Sequence, residues 1–190
     1  MTMTPTKIAW ATHVWNPTTG CTPAGEGCTN CYARPLHNKR HKAFRRGKLQ
    51  NNTQYAKPFD VVQLLPARLD EPLHLRKPAR IFVDSMGDLF HEDVPVAFIG
   101  RVATIVAACP EHTFIVLTKR ADRMNLVVPQ LRARLPDNAD LFENGDEMQS
   151  ALEPQNQPWP LRNFWLLVSV WDQASAAAAV PILLDTPAAV

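Results

Sequence analysis

RIFVDSMGDLFHEDVPVAFIGRVATIVAACPEHTFIVLTKR, residues 80–120, decides how this chain folds. Arg80-Ile-Phe-Val-Asp84 is a short apolar run of strand type, and Thr113-Phe-Ile-Val-Leu-Thr118 is a second. Between them, Val94 to Cys109 has helical spacing and stops at Pro110. A strand, a helix and a strand in that order ask for parallel pairing through a right-handed crossover. The rhythm continues outward. Ala121 to Leu135 reads as a helix interrupted near Pro129, and Asn163 to Val170 as another strand. Asp172 to Leu184 reads as an Ala-rich helix that Pro181 kinks or shortens. Upstream, Ile8 to Trp15 reads as a strand and Tyr32 to Gly47 as a helix weakened at its start by Pro35. Pro58 to Pro78 is an irregular connector with a helical piece near Leu64 to Leu69. The expectation is an α/β fold in one domain, residues 1–190, with no internal repeat.

Composition sets outer limits. With 46% hydrophobic and 20% charged residues, the chain can bury an ordinary globular core. No apolar stretch reaches the length of a membrane span, and Met1 to Lys7 lacks a signal-peptide core. A cytoplasmic location with no membrane partner is expected, where closely spaced cysteines stay reduced and serve metal or redox chemistry. One segment breaks the strand–helix rhythm. Residues 136–160 hold Asp137, Asp140, Glu143, Asp146, Glu147 and Glu153 and no Lys or Arg. They read as an acidic surface insertion, with a lid or an acidic patch for a basic helix as alternatives.

The cysteines are concentrated. Gly20 to Arg34, GCTPAGEGCTNCYAR, holds Cys21, Cys28 and Cys31, three of the four in the chain, together with Gly20, Gly25 and Gly27. Three thiolates on one Gly-rich loop suit an iron–sulfur cluster or zinc better than a packed core. Three protein ligands leave one cluster iron open to a non-protein ligand. A zinc site with His13, His37 or His41 as fourth ligand is the alternative. Cys109, in an apolar helix, reads as core, as do the rings of Trp10 and Trp15. His91-Glu92-Asp93 reads as helix capping.

The strand ends converge on this loop. In parallel α/β sheets, ligands gather at the carboxyl ends of the strands. Here those ends carry Asp84-Ser85-Met86-Gly87-Asp88, Thr118-Lys119-Arg120 and Ser169-Val170-Trp171-Asp172. One rim is therefore expected to hold the cysteines, two acids, a Lys–Arg pair and a hydroxyl. The helix after the loop carries Arg34, Lys39, Arg40, Lys42, Arg45 and Arg46, followed by Lys48, with no acid between them. Such a face is either solvated or binds phosphate backbone.

The ending Cys28-Thr-Asn-Cys31-Tyr-Ala-Arg34 resembles the cluster loop of radical S-adenosylmethionine enzymes, with six residues in the first gap where the usual motif has three. This variant is similar to a phage- and prophage-associated family of unknown function. Trp15 to Cys21, Arg76 to Val83, Asp84 to Pro95, Leu117 to Arg120 and Asn163 to Gln173 carry the same likeness. The resemblance implies a partial (β/α) barrel in which Cys21, Cys28 and Cys31 hold a 4Fe–4S cluster. It implies S-adenosylmethionine as second cofactor, cleaved to a 5′-deoxyadenosyl radical by an electron from a reductant protein. Tyr32 would lie by the adenine. Asp84, Ser85, Asp88 and Ser169 are candidates for cofactor or substrate contacts. Nucleic-acid modification or repair is the implied activity, and a non-catalytic zinc- or cluster-containing nucleic-acid-binding module is the alternative. In that family an acid commonly stands where this chain has Trp171. Its members also run on past the position of Val190, so this chain is expected to lack the last barrel strands and to leave an apolar edge where they would pair.

Overall fold

The computed structural model describes residues 3–142, 152–153 and 156–188. Its centre is a five-stranded sheet. The strands are β1 (Thr4–Pro5), β2 (His13–Trp15), β5 (Arg80–Val83), β6 (Thr113–Thr118) and β7 (Phe164–Val168). They lie in that order, β2, β5, β6 and β7 mutually parallel and β1 antiparallel at one edge. A separate two-stranded ribbon pairs β3 (Thr18–Thr19) with β4 (Gln63–Leu64). The helices are α1 (Ala33–Arg45), α2 (Val96–Ala108), α3 (Ala121–Arg134) and α4 (Gln173–Asp185). The protein is thus mixed α/β with a mostly parallel sheet, as the strand–helix rhythm demands.

Each parallel strand is neighbour to the one that follows it in the parallel series. With right-handed crossovers, that order lays successive helices on one face of the sheet, and α3 packs against both α2 and α4. The register shows which side chains meet them. Trp15, Val83, Val116 and Leu166 stand in line across the four strands, with Ile81, Phe114 and Phe164 one pleat back. All seven join the core with Ile99, Val102 and Ile105 of α2 and Met124, Val127 and Leu131 of α3. Each such large side chain contributes about 1.5–3 kcal/mol by leaving water. The alternate row, Val14, Phe82, Ile115 and Trp165, points to the other face, where Trp165 remains 44% exposed.

Several expectations change in detail. The first strand is only three residues long. Ala11 N–H donates to the Ile8 carbonyl and closes a turn, so Trp10 is an exposed ring set edge-on to Phe82 and not core; Trp15 is fully buried. Pro129 does not interrupt α3, because Met124, Val127, Val128 and Leu131 bury one continuous stripe across it. Pro181 likewise lies inside α4. The connector before β5 holds β4 and 3-10 turns at Pro66–Arg68 and Glu71–His74. His91-Glu92-Asp93 does not cap α2, which starts at Val96 after Pro95 without a side-chain cap. Cys109 is core, 2% exposed. Of the acidic segment, Pro136–Leu141 forms 3-10 turns, and Asp140 pairs with Arg101 of α2, not with the basic helix. Residues 143–151 and 154–155 of it lie outside the described residues.

Candidate metal and cofactor site at the strand ends

The rim is assembled by backbone as much as by side chains. Gly20 follows β3 at a φ of 90° and bridges to Gly87, its N–H donating to the Met86 carbonyl. A Cβ at Gly20 would stand 2.3 Å from the Val61 carbonyl oxygen, so only glycine brings the chain through here. Cys21 N–H then donates to the Phe59 carbonyl. These contacts fix the start of the cysteine loop against the segment that leaves β5.

That segment begins with strain. Asp84 has a φ of 56°, the left-handed region, and is 4% exposed. Its carboxylate accepts from the Thr18 N–H at 2.9 Å and from the Thr18 hydroxyl at 2.8 Å. Burial pushes its pKa up to about 7 in spite of those bonds. Asp88, four residues on, accepts from the Thr118 hydroxyl at 2.7 Å and from Arg120 Nη1 at 3.1 Å.

Arg120 ties the rim together. Its guanidinium is 6% exposed. Nε donates to Glu92 at 2.9 Å, Nη2 to the Thr22 carbonyl at 3.0 Å, and Nη1 approaches Cys21 Sγ at 3.5 Å. Beside it, the His91 ring takes the Asp93 N–H at Nδ1 and meets the Thr22 N–H at 3.3 Å and the Thr22 hydroxyl at 2.7 Å through Nε2. Burial holds that imidazole below the usual histidine range. The cysteine loop is thus docked on the strand ends by two charged or polar anchors, Arg120 and His91.

Cys21, Cys28, Cys31, Tyr32, Asp84, Ser85, Asp88, Lys119 and Ser169 all line one cavity of about 160 Å³. The structure thus brings the cysteines, the two acids, the Lys–Arg pair and the Ser169 hydroxyl to one cavity. Asp172 stands apart: it caps α4, accepting from the Ser175 N–H at 2.7 Å in a capping box. Tyr32 presents a ring 60% exposed while its hydroxyl donates to the Ser85 carbonyl at 2.5 Å. The sequence names Arg120 only as half of the Lys–Arg pair and His91 and Glu92 only as capping residues; their part in tying down the loop, and Thr22 altogether, were missed. A charged arginine directly after a buried strand was the available signal.

All three loop cysteines are free thiols. Among the described residues, no group of three His, Cys, Asp or Glu side chains is drawn into metal-holding distance. The donor chemistry nevertheless fits a metal cluster. The thiols share a cavity, Arg120 faces Cys21, and the Ala24 N–H donates to Cys28 Sγ at 3.3 Å, both contacts that favour thiolate. Without a metal, burial and then Asp88 push Cys21 up to about 11, with Arg120 opposing; a bound cation reverses that balance. The three histidines weighed as zinc ligands lie outside the cavity lining. His37 uses Nε2 on the Lys57 carbonyl, His41 uses Nδ1 on the Tyr55 carbonyl, and His13 pairs with Thr12.

Trp171 lies over the loop. A Cβ on Gly27 would stand 2.3 Å from its Cε3. Gly27→Ala is therefore expected to push the indole off the loop, read as a red shift and quenchability of tryptophan emission that Trp171→Phe abolishes. An unchanged spectrum would show that this packing is absent in solution.

The basic helix divides in two. Ala33 and His37 bury one side of α1. Arg34 and Arg40 flank it, their guanidinium carbons 5.4 Å and 5.2 Å from the rings of Phe59 and Tyr55. Lys39, Lys42, Arg45, Arg46 and Lys48 are exposed. Among the described residues none of the seven has an acidic side chain within 4.0 Å. No helix of the described residues is long and apolar enough to cross a membrane.

Comparison with known proteins adds one result. No curated protein and no solved structure matches the chain. A family profile described as protein of unknown function (DUF5131) matches residues 5–190, and the chain belongs to that family.

Proposed function

We propose that this protein is a radical S-adenosylmethionine enzyme of phage-associated type that modifies or repairs nucleic acid. The observation that carries the reading is the joint lining of one cavity, at the carboxyl ends of parallel strands, by three free thiols, two buried carboxyl groups and Ser169. The uninterrupted order of β2, β5, β6 and β7 is that of a segment of a (β/α) barrel, which supports the finer fold expected from the resemblance.

Cys21, Cys28 and Cys31 would hold a 4Fe–4S cluster, leaving one iron for S-adenosylmethionine. Together, and with an electron from a reductant protein, these cofactors supply a carbon radical that removes hydrogen from substrate. The chain's own residues position and insulate. Arg120 supplies positive charge beside Cys21 and anchors the loop through Thr22. Phe82 and Leu117 line the cavity and limit water. Ser85, Asp84, Asp88 and Ser169 offer polar contacts to the amino-acid or ribose parts of the cofactor. The exposed basic residues of α1 would bind phosphates.

Anaerobic reconstitution with iron and sulfide tests the reading. We expect a cluster visible by electron paramagnetic resonance and 5′-deoxyadenosine released from S-adenosylmethionine under reduction. Both are expected to be lost in Cys21→Ala, Cys28→Ala and Cys31→Ala, while Cys109→Ala retains the cluster. Stoichiometric zinc with no cluster formed would overturn it.

A further inference from the structure

The thiol cavity has a neighbour across a shared wall. Tyr32 and Ser85 line it and also line a second cavity of about 490 Å³, between β2, the amino-terminal arm and α1. Two amide side chains on its wall have fixed orientation. Asn16 is 5% exposed, and its Oδ1 accepts from the Met86 N–H and the Ser85 hydroxyl, each at 3.0 Å. A backbone N–H can only donate, so the oxygen is assigned. The Asn16 Nδ2 is left with both protons and no acceptor among the described residues. Gln54 repeats the arrangement. Its Oε1 accepts from Arg68 Nη1 at 2.6 Å, and that guanidinium is locked on the buried Glu71. The Gln54 Nε2 likewise has no acceptor among the described residues. Arg40, held against the Tyr55 ring, adds a third donor to the wall and connects it to the basic helix.

A donor held in one orientation and open to a cavity must be met there by water or by a ligand, so a cavity walled by oriented donors favours a ligand rich in acceptors. Its volume suits a small organic group. Tyr32, on the wall the two cavities share, is 60% exposed and offers a surface on which a base can stack. We propose that this second cavity seats one base of a single-stranded nucleic acid. The base enters with a carbonyl-bearing edge toward Asn16 and Gln54, as in thymine, uracil or guanine. The phosphates run over α1, and the sugar faces the thiol cavity. The proposal deepens the nucleic-acid reading given above and rests on it. It also predicts discrimination: adenine presents an amino donor to a wall that already holds donors.

The test is binding of fluorescent oligo(dT) and oligo(dA) of equal length, by anisotropy, to cluster-free and reconstituted protein alike. We expect oligo(dT) to bind at least about tenfold more tightly than oligo(dA) and more tightly than duplex. Gln54→Glu keeps the Arg68 bond, and Asn16→Asp keeps the Met86 bond, but each turns a donor into an acceptor. Both variants are expected to erase the preference for oligo(dT), Gln54→Glu at an unchanged thermal midpoint. Lys39→Gln with Arg46→Gln should weaken both oligonucleotides equally and flatten the salt dependence. Equal binding of dT and dA by the wild type, or a preference surviving Gln54→Glu, overturns the cavity assignment while leaving the nucleic-acid reading standing. No binding of any oligonucleotide at low salt overturns both. Deoxyadenosine release is measured separately, so the radical chemistry is judged independently of either outcome.

Discussion

Arg120→Met is expected to destabilise the protein by about 3–5 kcal/mol. The Asp88 side chain is 7% exposed and receives its counter-charge from Arg120. Methionine fills similar space but leaves that carboxylate buried and unpaired, and it also removes the donor to the Thr22 carbonyl. The loss should appear as a lower urea midpoint with little change in slope. Pairing it with Asp88→Asn is expected to recover much of the loss, because the uncompensated charge is then gone; strong non-additivity is the signature of a contact pair. Lys119→Met, at the neighbouring position, should stay within about 0.5 kcal/mol. A cost under 1 kcal/mol for Arg120→Met, or simple additivity with Asp88→Asn, would show that the bridge does not hold the rim.

Asp84→Asn is expected to act in the opposite direction. The folded state raises the Asp84 pKa from 3.8 to about 7, with burial the leading cause. Between those values the folded protein holds a proton that the unfolded chain has released. The contribution to stability is therefore complete below about pH 4 and is lost as pH rises through 7. Asparagine is neutral at every pH. It can accept from the Thr18 N–H and donate to the Thr18 hydroxyl, and it tolerates the left-handed backbone better than most residues. We expect the variant to be more stable than wild type by roughly 2–4 kcal/mol at pH 8, with the gap closing toward pH 4. A gap of the same size at both pH values, or none at pH 8, would show that Asp84 ionises normally.

Legibility in the sequence followed packing. Thr113–Thr118 was readable to the residue, because an apolar run between a proline and a Lys–Arg pair has no other comfortable state. The helices α2, α3 and α4 were readable within two residues at either end for the same reason. Ile8 to Trp15 was over-read: β-branched and aromatic residues can also line a turn when one ring packs edge-on against a sheet residue, as Trp10 does against Phe82. At the site, the three cysteines and the acids after β5 announced themselves by local spacing. The partnerships of Arg120, His91 and Asn16 did not. Each acts through a partner some seventy to a hundred residues away, and no local pattern encodes such a meeting. Trp171 was legible only as a departure from a resemblance; its place on Gly27 is a tertiary fact.

The contact between Gly27 and Trp171 also sets a schedule. A chain leaves the ribosome amino-terminal end first, at about 5–20 residues per second. The cysteines therefore emerge before Arg120 and Trp171, the groups that pin and cover their loop. For roughly ten seconds or more the three thiols belong to an unfinished rim, open to oxidants and to stray metal ions. Whatever loads this loop meets it in its final shape only after synthesis has passed residue 171. The yield of intact thiols will therefore depend on how quickly the segment around Trp171 folds back over them.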